Sequence, residues 1–108
     1  MTTYEIKSGV KKKLLIKNGF RQTTPDTFKY RKDIYNNSVS VELVVWYEDN
    51  DNPCMSTRFI DNGTGCTFPI FCEYGKSDVR KIAYKNYKEI MKRFIKKGIV
   101  DKVEKKNK

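Results

Sequence analysis

The chain is 108 residues long, with 38% hydrophobic and 13% aromatic content, enough for one modest core and too little for two independent domains. Lysine and arginine number 23 against 13 acidic residues, and the formal charge of +10 points to polyanionic partners and excludes a nucleic-acid mimic. The absence of histidine excludes Ser-His-Asp and Cys-His catalysis and the usual neutral-pH general base.

Cysteines 54, 66 and 72 form no Cys-x-x-Cys pair, so they read as reduced structural thiols rather than zinc ligands. The first residues carry no apolar signal core, and no run approaches the roughly 18 apolar residues of a membrane span. The reading is a soluble, cytoplasmic protein with no membrane partner. Ala83 is the only alanine, and Lys, Asn, Ile, Tyr and Phe are abundant. AT-rich coding produces that bias and explains part of the lysine excess.

In chain order, Thr2 with Glu5, or Ser8 ahead of Val10, is a candidate cap for a first helix that Gly19 stops, giving a predicted helix over 3–18. Its apolar pattern is poor, since Ile16 falls opposite Val10, Leu14 and Leu15, among Lys12 and Lys13. A short strand follows, then a turn at Pro25-Asp26. In 27–35 Phe28, Tyr30 and Ile34 alternate with Lys29, Arg31, Asp33 and Tyr35, the period of a half-buried strand.

Asn36-Asn37-Ser38 makes a tight connection into the strongest strand signal, 38–48, where Val39, Val41, Leu43, Val45 and Tyr47 form one unbroken face. Ser40, Glu42, Val44 and Trp46 form the other. A polar turn over 49–53 leads to a strand over 55–61, and 67–73 is an edge strand or extended loop because of Pro69.

The last predicted helix covers 77–98, capped by Ser77 and stopped by Gly98. Val79, Ile82, Ala83, Tyr87, Ile90, Met91 and Phe94 share one arc, and Lys81, Lys85, Lys88, Lys92 and Lys96 share the arc opposite. The like-charge i,i+4 pairs in that row each cost about 0.2–0.5 kcal/mol of helix stability, relieved only by Glu89. A row that works against its own helix suits a phosphate backbone.

The predicted architecture is therefore α+β: a three- to four-stranded antiparallel meander with the N-terminal helix and the long C-terminal helix packed on one face. Residues 1–100 form the single domain and 101–108 a disordered basic tail. The opposite sheet face, with Trp46, Lys29, Arg31, Arg58 and Tyr35, is left for solvent or a protein partner, since aromatic rings flanked by guanidinium groups suit stacking or a contact hot spot.

Catalytic and metal chemistry is thinly represented. Glu48, Asp49 and Asp51 are the only dense acidic cluster, and an EF-hand register started at Asp49 puts Cys54 at the glycine position and Ile60 at the glutamate position. Asn62-Gly63-Thr64-Gly65 lacks the lysine and helix start of a phosphate-cradling loop and reads as a turn. No cofactor and no enzymatic reaction are expected.

Gly75-Lys76-Ser77 followed by Arg80-Lys81-Ile82-Ala83 resembles the entrance to the second helix of a double-stranded RNA-binding domain, whose helix, three strands, helix order is also similar. That resemblance implies phosphate contacts at Lys76, Arg80 and Lys81. Leu14-Leu15-Ile16-Lys17-Asn18-Gly19-Phe20 is similar to the first helix of HicA-type toxin ribonucleases; their catalytic histidine has no counterpart, so the likeness implies fold order and no ribonuclease activity. In overall style the chain resembles small phage and mobile-element proteins, a group that includes anti-CRISPR inhibitors. The combined expectation is a non-enzymatic basic protein that binds nucleic acid or a nucleoprotein through Lys76, Arg80, Lys81, Lys85, Lys88, Lys92 and Lys96. The alternative is an inhibitor of a host defence protein acting through the face around Trp46.

Overall fold

Val39, Val41, Leu43 and Val45 are buried while Glu42, Val44 and Trp46 are only partly covered, and this alternation sets β4 (Val39–Glu48) at the centre of the fold. The computed structural model describes residues 2–48, 52–67 and 78–104. Along the chain run β1 (Thr2–Ile6), α1 (Lys12–Lys17), β2 (Arg21–Thr24), β3 (Thr27–Tyr35), β4, β5 (Asn52–Asp61), α2 (Asp78–Lys96) and β6 (Val100–Glu104). The class is α+β, as expected. Strands β2-β3-β4-β5 form the antiparallel meander, and β1 and β6 form a separate antiparallel pair.

The turns follow from residue chemistry. Asn36 (φ 46°) and Asn37 (φ 61°) both sit in the left-handed region, the geometry of a type I′ hairpin turn, and the Ser38 amide donates to the Tyr35 carbonyl at 2.7 Å. Pro53 is the second residue of β5, opposite Tyr47, on an outer strand of the sheet where a missing N–H is tolerated. The expected strand over 67–73 is represented by Thr67, which bridges Ile60; residues 68–73 lie outside those described.

Both helices end in the same device. Gly98 adopts φ +78°, its amide donates to Ile95 O at 3.1 Å, and the Ile99 amide donates to Phe94 O at 2.9 Å. Gly19 repeats this at φ +97°, with Gly19 N to Ile16 O at 3.2 Å and Phe20 N to Leu15 O at 3.0 Å. These are Schellman caps, in which the residue after the glycine packs back on the helix. Here those residues, Phe20 and Ile99, are both buried.

One core cluster joins the two helices to the inner sheet face. Leu15 from α1 and Ala83, Tyr87, Ile90, Met91 and Phe94 from α2 meet Phe28, Tyr30, Ile34, Val41, Leu43, Val45 and Phe59. The Phe94 ring lies 5.0 Å from Tyr30 at 80° and 5.6 Å from Phe20 at 42°, both within favourable aromatic geometry.

Two expectations fail. The predicted helix over 3–18 is a strand followed by a helix of only six residues, because Tyr4 and Ile6 turn one face to the core and pair with Lys102 and Val100. The predicted tail over 101–108 begins instead as β6: Ile99 and Val100 are fully buried, and this anchor carries 101–104 into register with β1. Residues 105–108 lie outside those described. Ile82, placed on the apolar arc, is 45% exposed, at the margin of the buried stripe.

Replacing Phe94 by alanine is expected to lower unfolding free energy by about 3–5 kcal/mol in urea titrations. Gly98→Ala, forced into the left-handed region, should cost about 1–2 kcal/mol.

Candidate nucleic-acid interface

The outer side of α2 carries the lysine row. Lys81, Lys85, Lys92 and Lys96 are exposed, and Lys88 is half-buried with its ammonium 4.9 Å from the centroid of the Tyr84 ring. At 1.5 Å rise per residue the row spans about 22 Å. Glu89 lies 3.5 Å from Lys92, a solvent-exposed pair that contributes little to stability. Arg80 is half-buried at the start of the helix, and Lys76 lies outside the described residues.

The β1–β6 pair adds to this row. Its register sets Tyr4 opposite Lys102 on one face, and together with α2 they enclose a groove of about 390 Å³ lined by Tyr4, Lys85, Lys88, Glu89, Lys92, Ile95 and Lys102. Four lysines and one glutamate give the groove a formal charge of 4 − 1 = +3. Tyr4 packs edge-on against Tyr87 at 5.6 Å, which ties the groove to the core.

The sequence pattern alone does not single out Lys102 or Tyr4. The available signal is Ile99-Val100 with Val103 after Gly98, but seven charged or polar residues after Val100 read as tail.

The outer sheet face is more divided. Trp46 is half-buried, donates from Nε1 to Glu48 Oε1 at 3.1 Å, and lies between Thr27 and Cys54 in register. Val44 lies between Lys29 and Ser56, and Glu42 between Arg31 and Arg58. Both guanidinium groups are engaged locally, Arg31 donating to Asn62 Oδ1 at 2.9 Å and Arg58 to Gly65 O at 3.2 Å.

Ser40 and Ile60, on the same face, are buried, so the face is closed at that end. Tyr35 does not join it. The strand bulges between Asp33 and Tyr35, which turns Tyr35 opposite Val39 and against the core, at the far end of β3 from Thr27 and Trp46.

Among the described residues no group of three or more His, Cys, Asp or Glu side chains is placed to hold a metal ion. Asp49, Asp51 and Cys72 lie outside them; Cys54 is half-buried and Cys66 exposed. No helix is long and apolar enough to cross a membrane among these residues. No protein-family model, curated protein or solved structure matches the chain.

Burial pushes the phenol pKa of Tyr87 far above its ordinary value, against a smaller opposing hydrogen bond from Thr57, and raises those of Tyr4 and Tyr30. Each holds its proton more tightly folded than unfolded, so stability is level below about pH 10 and falls as pH rises further. Urea midpoints measured from pH 8 to 11 should show this decline, and Tyr87→Phe should flatten it.

Proposed function

We propose that the protein is a non-enzymatic binder of nucleic acid or nucleoprotein, encoded by a phage or another mobile element, and that the groove between α2 and the β1–β6 pair is its contact surface. The observation that carries this reading is the delivery of Lys102 to the row formed by Lys85, Lys88 and Lys92, with one acidic side chain among them. A phosphate chain displaces counterions when it meets such a surface, and the affinity gained is electrostatic and independent of base sequence. Lys81 and Lys96 extend the track at either end, and Arg80 adds a guanidinium near its start.

The dissociation constant for labelled duplex and single-stranded oligonucleotides should rise steeply with salt in fluorescence anisotropy. The Lys85→Glu/Lys88→Glu/Lys92→Glu variant should lose binding, and Lys102→Glu alone should reduce the slope of log K against log salt by about one contact. Affinity that stays level between low and high salt refutes the proposal.

A second reading rests on the cross-strand neighbours Trp46, Val44 and Lys29 on the outer face, the side opposite α2. Under it the protein inhibits a host defence protein through that face. Trp46→Ala then abolishes a stoichiometric complex recovered from host lysate after nuclease treatment, while the lysine variants retain it.

A further inference from the structure

Strand β3 loses a neighbour part-way along its length. Pairing with β2 ends at Arg21 opposite Lys29, so residues 30–35 of β3 are paired only on the β4 side among the described residues. The Tyr47 amide donates to the Asp26 carbonyl at 3.0 Å, in register with the β3–β4 ladder. Hydrogen bonding alternates along an antiparallel ladder, so Phe28, Tyr30 and Lys32 bond to β4 while Lys29, Arg31 and Asp33 turn their N–H and C=O groups the other way. For Lys29 that side meets β2. For Arg31 and Asp33 it is an open edge among the described residues.

Beside this edge lies a groove of about 700 Å³ between β3 and α2. Its cations are Lys32, Lys92, Arg93 and Lys96, against Asp33 and Glu89. Both carboxylates are already occupied: Glu89 lies 3.5 Å from Lys92, and Asp33 Oδ1 accepts the amides of Tyr35 and Asn37. Ile90 and Ile95 supply apolar surface. The slot is bounded at one end by β2 and at the other by Asn86, whose Nδ2 donates to the Ile34 carbonyl at 2.8 Å beside the bulge.

We infer that this edge docks an extended acidic peptide segment, which adds to β3 as an antiparallel strand. Its N–H and C=O groups pair with those of Arg31 and Asp33, and its acidic side chains lie over Lys32, Arg93 and Lys96. The alternating donors and acceptors of the edge match the spacing of a peptide backbone, whereas a phosphodiester linkage offers acceptors only. A second copy of this chain fits poorly, since antiparallel self-pairing centred on this edge sets Lys32 opposite Lys32.

The pairing makes a prediction about side-chain direction. Arg31 and Asp33 face the outer sheet surface, in register with Glu42 and Ser40. Peptide residues opposite them therefore also face outward and form the backbone bonds, and the residues between them face the groove. In an eight-residue fluorescein-labelled peptide of alternating glutamate and valine, the glutamates belong in the groove and the valine amides on β3.

Binding to the full chain is measured by anisotropy at physiological salt. N-methylation of the valine amides should weaken binding at least about tenfold, N-methylation of the glutamate amides should change it less than about twofold, and Lys32→Glu should weaken it at least about tenfold. The Lys85→Glu/Lys88→Glu variant, altered outside this groove, should bind the peptide unchanged whether or not it loses nucleic acid, so the two surfaces fail or stand separately. The methylated peptides leave the protein untouched and cover the case in which Lys32→Glu misfolds. Equal effects of the two methylation patterns overturn the proposal, as does an oligonucleotide that displaces the peptide and itself loses affinity on Lys32→Glu.

Discussion

Phe94 is the contact on which the arrangement depends. Its main-chain carbonyl accepts the cap bond from Ile99 and its ring meets Phe20 and Tyr30, so helix termination and helix docking meet at the same residue. Phe20 reaches it through the matching cap at Gly19. The two helix stops thus converge on one aromatic cluster. From that cluster Ile99 and Val100 leave in the direction that brings β6 against β1.

The electrostatics follow from this geometry. Helix α2 buries one stripe and has to present the other, and the row of lysines there repels itself along the helix. The core contacts of the buried stripe offset that repulsion, so the row is maintained by packing rather than by local propensity. On the outer sheet face, by contrast, Glu42 lies in register between Arg31 and Arg58, and Asn62 Oδ1 and the Gly65 carbonyl accept from those guanidiniums. Along α2 seven cationic side chains stand against two acidic ones.

Much of the fold was legible because its signals are local. The alternation through Val39–Val45, the paired asparagines at 36–37 and the apolar arc ending at Gly98 each specify their element within a few residues. The meander and the face that α2 covers follow from them. Residues 2–6 and 100–104 escape, because each is a five-residue stretch with two apolar side chains whose strand character comes from a partner almost a hundred positions away. The lysine row was legible for the same reason as the helix, whereas Lys102 and Tyr4 enter the groove only through that distant pairing. Tyr35 was assigned to the wrong face because a single extra residue in a strand inverts the alternation beyond it, and nothing in the side chains of 33–35 announces a bulge.

The pairing of β1 with β6 also sets an order of events during synthesis. Residues 2–6 leave the ribosome well ahead of residues 100–104 and have no strand partner until these follow, although the meander and α2 between them can already close around Phe94. A nascent or truncated chain that stops short of Val100 carries the lysines of α2 without the opposing wall that turns them into a groove. Assembly of the lysine-lined groove is in this way made conditional on the β1–β6 pairing, which delays the groove until the rest of the fold is in place.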